Sequence, residues 1–214
     1  MNRDVSLAIS WHTSKVKTLS DLQKMELLSP GTGAGADSEI MPLAFNSLAG
    51  TKFKIINGYP NTIQAALAME RGELDGVGYW SWGSIISAHP DWIRDKKINF
   101  LFHTGSQPLP QLPGVPSIRQ AAKSELDAKA MEFLLSREIL GRPFLAPPDI
   151  PAERVRVLRN AFAATLKNPD FLKEAEKAAL EIDLVTGEEA EDVIKTATNA
   201  PKDVIERVKS LLGR

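Results

Sequence analysis

The sequence predicts an α/β protein: a lobe with a parallel-rich sheet, followed by a helix-rich segment too poor in strands to complete a second lobe by itself. Three observations predict it. Short strand-like runs alternate with helical runs through the first half, as in a parallel sheet with crossover helices. Two of those strands end in loops rich in glycine and polar residues. Beyond a proline cluster at residues 107–117, amphipathic helices dominate and strands become scarce.

The first strand, Val5–Trp11, alternates apolar Val5, Leu7, Ile9 and Trp11 with small Ser6, Ala8 and Ser10, the period of a pleated strand. A short helix follows near Thr18–Gln23, where Ser20 and Gln23 have capping-box spacing. Met25–Ser29 is the second strand, Pro30–Ser38 a glycine-rich loop, and Glu39–Ala49 a helix with Pro42 in its first turn. Lys52–Asn57 is a strand, Gly58–Thr62 a loop, and Ile63–Arg71 a helix that Gly72 terminates. Strands over Leu74–Trp80 and Lys97–His103 complete the first lobe; the apolar run in the latter fits burial on both faces.

Pro108, Pro110, Pro113 and Pro116 stiffen the next segment, which reads as a connector with a hinge near Thr104–Gln111. The expected division is therefore 1–107 for the ligand-binding lobe, 108–117 for the connector and 118–214 for the helix-rich remainder. In that remainder Ile118–Leu140 is broken helix and Pro143–Pro148 is extended. Ala152–Lys167 is a long helix with Val155, Leu158, Phe162 and Leu166 on one apolar stripe. Pro169–Leu180 is a helix, Glu181–Val185 a short strand, Thr186–Glu189 a capping box opening a helix to Ala197, and Pro201–Leu212 the last helix.

Twenty-six Lys and Arg face twenty-seven Asp and Glu, a formal net charge of −1. That balance offers nucleic acid or an acidic membrane no global attraction. There is no cysteine, which excludes disulfides and thiolate metal sites. No stretch approaches the roughly 20 apolar residues of a membrane span. Met1–Asp4 leads into the strand pattern of Val5–Trp11 and not into an export signal, so the expectation from this chain is a cytoplasmic protein if Met1 is the start.

The glycine-rich loop joins a strand to a helix and aims backbone N–H groups above the sheet edge, where anions are favoured. Its glycines, Gly31, Gly33 and Gly35, recur at every second position. They lack the dinucleotide spacing, the later ribose-binding acid and the Gly-Lys-Ser/Thr ending of a phosphate loop. No cofactor is expected. The alternative is a plain turn. The second loop offers Tyr59 together with Asn61 and Thr62, which either cap the following helix or contact a ligand. Tyr79 and Trp80, at the end of a third strand, could wall an apolar ligand body or fill the core. Catalytic chemistry is not indicated: His12, His89 and His103 lie on separate segments with no metal-ligand spacing. No Gly-x-Ser-x-Gly elbow occurs. Glu70, Glu73 and Asp75 read as solvated charges at a helix end.

Several segments, taken in order, resemble the substrate-binding receptors of tripartite tricarboxylate transporters, the Bug or TctC-like family. They are Val16–Leu22, Gly31–Ser38, Gly58-Tyr59-Pro60, Glu70–Gly76, Leu112–Ser117, Gly141–Pro148 and Asn168–Phe171. The resemblance implies a non-catalytic, two-lobed protein of periplasmic-binding-protein-like (type II-like) fold, its helix-rich second lobe incomplete here, that closes on a small di- or tricarboxylate through loop amides, hydroxyls and water. By position it places Gly33, Ala34, Gly35, Ala36 and Asp37 at the carboxylate, beside Tyr59, Asn61 and Thr62; the Asp37 side chain would repel an acid unless it turns away to cap the helix, so its backbone is the expected contact. It also implies a periplasmic location and membrane permease partners. Such receptors open with an export signal and the first part of their first lobe. The expectation is that this chain lacks both and holds the second lobe followed by the returning part of the first. The alternative is a ligand-free interaction module or degenerate relic of the same fold.

Overall fold

A computed structural model describes residues 4–141, 143–178, 180 and 182–212. The chain forms two compact units, one of Val5–Leu134 with the segment from Pro201 onward, the other of Leu135–Ala200 with Asp4. The proline-rich stretch 108–117, read from the sequence as the connector, lies wholly inside the larger unit. Leu112 is buried in its core, and Leu109 and Val115 pack against that core. Prolines stiffen this segment, but its apolar residues hold it to the surface it crosses.

The larger unit contains all five strands: β1 (Ser6–Trp11), β2 (Leu27–Gly31), β3 (Phe53–Asn57), β4 (Gly76–Ser81) and β5 (Ile98–His103). β2 and β3 pair in parallel, from Leu27 opposite Phe53 to Gly31 opposite Asn57. β1 lies between β4 and β5 and is antiparallel to both, so β4 and β5 share a direction. β2 runs beside β4. The Asp75 N–H donates to the Leu28 carbonyl, the Leu28 N–H to Asp75 Oδ2 and the Gly78 N–H to Ser29 Oγ, so the two strands advance together. Thus β2 to β5 run one way, and β1 alone opposes them. The uniform repeat expected from the sequence begins one strand later than predicted. The link from β1 to β2 holds only the one-turn helix α1 (Leu19–Leu22), whereas the later strands return through longer helical crossovers.

Those crossovers are α2 (Asp37–Ala49), α3 (Thr62–Glu70), and the pair α4 (Trp82–Ala88) and α5 (Pro90–Arg94), the last two unforeseen in the sequence. The capping box of α1 is Thr18 with Asp21, two residues before the predicted start. α2 begins at Asp37, which moves Pro42 beyond the first turn. Its ring packs over Gly78, where an added Cβ would lie 2.7 Å from Pro42 Cγ. Gly78 thus gives a helix-interior proline room on the sheet.

One side of the core is aromatic. Trp92 is fully buried, stacks on His89 at 3.9 Å, and meets Trp11 and Trp80 edge-on at 5.4 and 5.8 Å. Its Nε1–H donates to Glu70 Oε1 at 2.9 Å, so Glu70 has a structural task. Asp75, half-buried and stitching β2 to β4, likewise departs from the solvated charge expected; Glu73 matches that expectation, pairing with Arg71 on the surface.

The last helix of this unit, α10, packs onto it through buried Val204 and Val208; it spans Lys202–Leu211. Arg207 reaches Asp127 Oδ1 at 2.8 Å and Ser47 Oγ at 3.0 Å. Asp127 lies on α6 (Glu125–Leu135) and also accepts from Ser124 Oγ. Burial works to raise the Asp127 pKa, but hydrogen bonds from Arg207 and Ser124 and the guanidinium charge carry it below the ordinary carboxylate value.

The smaller unit consists of a 3-10 turn (Ser136–Leu140) and helices α7 (Ala152–Thr165), α8 (Pro169–Lys177) and α9 (Gly187–Thr198). The strand predicted over Glu181–Val185 is absent among the described residues, Ile182–Val185 having no regular structure; Glu181 lies outside them, as does Arg142 of the predicted Gly141–Pro148 segment. No residue of α7 or α9 is buried. The apolar stripe of α7 therefore remains open: Leu158 is 56% exposed, and Phe162 packs only partly, against Phe144 at 5.1 Å. Helical periodicity identified the stripe, but with no strand among the described residues of this unit there is no sheet to receive it.

Candidate functional site

The site is built where β2 and β3 end. Because they are adjacent, parallel and in register to Gly31 and Asn57, loop 32–36 and loop 58–61 leave the same edge of the sheet. Gly33, Ala34, Gly35, Ala36 and Asp37 are thus brought to the same edge as Tyr59, Asn61 and Thr62.

Within the first loop Gly33 has φ +142° and Gly35 φ +84°, conformations side chains other than hydrogen rarely adopt. The Ala36 N–H donates to the Gly33 carbonyl, and Thr32 N–H donates to Ser38 Oγ at 3.0 Å. Thr32 and Ser38 hydroxyls also meet at 2.8 Å. The N–H groups of Gly33, Ala34 and Gly35 have no acceptor among the described residues, and all three residues are exposed. Ala36, not Asp37, is the N-cap of α2; Asp37 is its first helical residue. The expected turn of Asp37 into the capping position is not what forms, since the cap must have extended backbone and Ala36 holds it at φ −72° and ψ 151°.

In the second loop Asn61 caps α3, its Oδ1 accepting the Gln64 N–H at 3.0 Å. Thr62 is the exposed first residue of that helix. Tyr59 is half-buried and packs against the core.

The third strand divides its aromatics. Tyr79 is half-buried with its ring 6.4 Å from Phe45. Trp80 is 8% exposed and belongs to the Trp92 and His89 cluster. Of the two roles open to it, ligand wall or core, it takes the core, where the rings of His89 and Trp92 surround it edge-on.

Two residues at this edge escaped the sequence reading. A Cβ built on Gly31 would collide with Asn57 Oδ1 and lie 2.7 Å from Glu39 Oε1, so side-chain oxygens from β3 and α2 converge over a glycine. The signal available was the absence of a side chain at the last residue of β2, opposite a polar residue in register.

Two other features carry some of the marks of a site. His103, at the end of β5, is buried with Nδ1 lacking any hydrogen bond, and burial, reinforced by the Arg119 charge, depresses its pKa. A groove of about 370 Å³ in the smaller unit is lined by Val155, Arg156, Arg159, Asn160, Glu188 and Glu191 among others. Its main cation, Arg159, is already bound to both glutamates. Among the described residues no cluster of His, Asp or Glu could hold a metal, and no helix is long and apolar enough to cross a membrane.

The fold recurs in solved structures. A TctC solute-binding protein from Polaromonas superposes with a TM-score of 0.65 at 16% identity, covering 99% of this chain and 67% of its own. The fold is that of the TctC-type solute-binding proteins. An adipate-bound protein of R. palustris matches with a TM-score of 0.61 at 15% identity, covering 99% of this chain and 66% of its own. The malate-bound MatC of Rhodopseudomonas palustris matches at 0.55 and 18% identity, covering 98% and 66%. The chain spans about two thirds of the length of these TctC-type proteins. No family model matches the sequence, and no curated protein does.

Proposed function

We propose that this chain is the ligand-binding part of a solute receptor, taking a small organic acid at the edge formed by loops 32–36 and 58–61. The observation that carries the reading is the row of unspent N–H groups at Gly33, Ala34 and Gly35, set beside Tyr59 and Asn61 by the parallel pairing of β2 and β3. A carboxylate accepting several backbone amides at a helix N-terminus is stabilised without a charged partner. Structural neighbours solved with adipate and with bound malate support the ligand class. On this reading the protein is no enzyme, its partners are the acid and membrane permease subunits, and its place is the periplasm.

A thermal-shift screen of mono-, di- and tricarboxylates tests the reading. A ligand at 100 times its Kd adds about 2.7 kcal/mol to the folded state, so a bound acid raises the melting temperature. No shift with any acid at millimolar concentration overturns it.

A second reading, a ligand-free interaction module, draws on Leu158, Val157, Leu172 and Ile194 of the smaller unit, which are 39% to 59% exposed. Light scattering that finds only monomer, with no binding of an apolar dye, removes it.

A further inference from the structure

His103 closes β5 with its ring only 1% exposed, and its Nδ1 is the single buried side-chain nitrogen or oxygen without a hydrogen bond among the described residues. The backbone around it is tied on two sides. Toward β1, the Thr104 N–H donates to the Ser6 carbonyl at 3.0 Å and the Ser6 N–H to Thr104 Oγ1 at 2.9 Å. On the other side the chain leaves at Gly105, packs Leu109, Leu112 and Val115 on the core, and returns to be fastened three times. The His103 N–H donates to the Pro116 carbonyl at 3.0 Å, Ser117 Oγ to the Gly105 carbonyl at 2.7 Å, and Arg119 Nε to the Thr104 carbonyl at 2.6 Å. The imidazole lies inside this clasp: a Cβ built on Gly105 would be 3.1 Å from Nδ1.

The clasp offers no counter-ion to a charged ring. Val5–Trp11, Ile98–Phe102 and residues 104–117 contain no Asp, Glu, Lys or Arg. The charge that acts on His103 is that of Arg119, on the 3-10 turn Ile118–Ala121, and it repels an imidazolium. The carboxylate of Glu132, on α6, is mostly exposed and is already paired with Arg119. A neutral imidazole can leave one ring nitrogen as an unused acceptor at little cost, whereas an imidazolium is a donor at both nitrogens. A buried charged donor without an acceptor is costly. Burial, with the Arg119 charge second, accordingly lowers the His103 pKa.

Lifting the segment after Gly105 relieves that cost, because the ring then reaches water. The open form takes up a proton more readily than the closed one. Closure is therefore fully favoured above the ordinary histidine value of about 6.5 and is lost as pH falls through that value toward the folded pKa.

We propose that His103 is the proton-sensitive catch of a flap formed by residues 105–117, which is fastened over the core at neutral pH and released in acid, uncovering the apolar surface beneath Leu109, Leu112 and Val115. Gly105 is a positioning residue, since its missing side chain leaves room for the ring inside the clasp.

Amide hydrogen exchange of the full chain, with each rate divided by its intrinsic rate at the same pH, tests the catch. The reporters are His103, bonded to Pro116, and Leu112 and Val115 within the flap. The references are Leu27, bonded to the Lys52 carbonyl, and Phe53, bonded to Asn46 Oδ1. Each pH unit between the open and closed pKa values shifts the equilibrium about tenfold, so from pH 7.5 to pH 5.0 protection of the reporters relative to the references should fall about fivefold or more. In His103→Leu, which keeps an apolar side chain and takes no proton, that fall should vanish. The His103 ring resonances of the unaltered chain should titrate below about 6.5, and the loss of protection should follow them, which decides the matter even where His103→Leu does not fold. A ring that titrates at or above that value, relative protection unchanged between the two pH values, or the same fall in His103→Leu overturns the proposal.

Discussion

Replacing Glu70 by alanine removes the acceptor of a buried indole, and its cost follows from the geometry. Trp92 is fully buried and its Nε1–H donates to Glu70 Oε1 at 2.9 Å. A buried donor left unpaired costs about 1–3 kcal/mol. Glu70 itself is exposed, so water can reach the vacated position, and the expected loss lies at the lower end, about 1–2 kcal/mol. Glu70→Gln keeps a carbonyl in place and should cost less than half as much at pH 7.5. The charge has a second effect through His89, which stacks on Trp92 at 3.9 Å. Burial lowers the His89 pKa, with Glu70 the larger of the two charges opposing that fall. A histidine depressed in the folded state contributes stability fully present above its unfolded value, about 6.5, and lost as pH falls through it toward the folded pKa. Both variants remove the opposing charge, so both should lose further stability at pH 5.5 relative to the unaltered protein. All four tryptophans lie in the larger unit, so urea unfolding followed by their fluorescence reports on it alone. Losses under 0.3 kcal/mol in Glu70→Ala at both pH values, or equal losses in the two variants at pH 7.5, would refute the reasoning.

Three further outcomes are expected. Arg207→Ala unclasps α10 from Asp127 and Ser47 and strands a largely buried carboxylate; urea unfolding should show a loss of about 1–3 kcal/mol. The lowered Asp127 pKa gives stability above the unfolded value near 3.9 that disappears as pH falls through it; that acid-side loss should be smaller in Arg207→Ala, where the depression is relieved. Gly35→Ala meets no atom within 4 Å but must hold φ +84°, so its penalty is backbone strain of about 1–2 kcal/mol; tryptophan-monitored stability of the larger unit should fall by no more than that amount, and acid affinity should drop severalfold in titration calorimetry. Leu158→Ala, on a helix with nothing buried, should leave the thermal transition within about 0.5 kcal/mol of the unaltered chain; a loss of several kcal/mol would show that Leu158 is packed.

Strand alternation and loop chemistry made β1 to β5, the two loops and their shared edge legible before any coordinates. What stayed hidden depended on pairing. Period-2 alternation cannot tell which way β1 runs, and only its insertion between β4 and β5 makes it antiparallel. Trp80 could be wall or core on sequence alone; the choice was made by Trp92 and His89, which arrive from α5 and its N-cap. The apolar stripe of α7 is legible as a stripe, but periodicity reports a face and not whether anything covers it, and no residue of α7 is buried. Proline content at 108–117 suggested a connector, yet Leu112 anchors that segment in the core. Glu39 and Asn57 left no local signature, since their convergence over Gly31 exists only once β2 and β3 are in register.

The amide cradle is tested most directly by following the backbone N–H resonances of the isotopically labelled chain while adipate, malate and aspartate are added in turn. The account predicts that, for at least one acid, the largest saturable shifts fall on Gly33, Ala34 and Gly35, with smaller ones at Tyr59 and Asn61. Saturable shifts centred elsewhere, with those three amides unmoved, would contradict it.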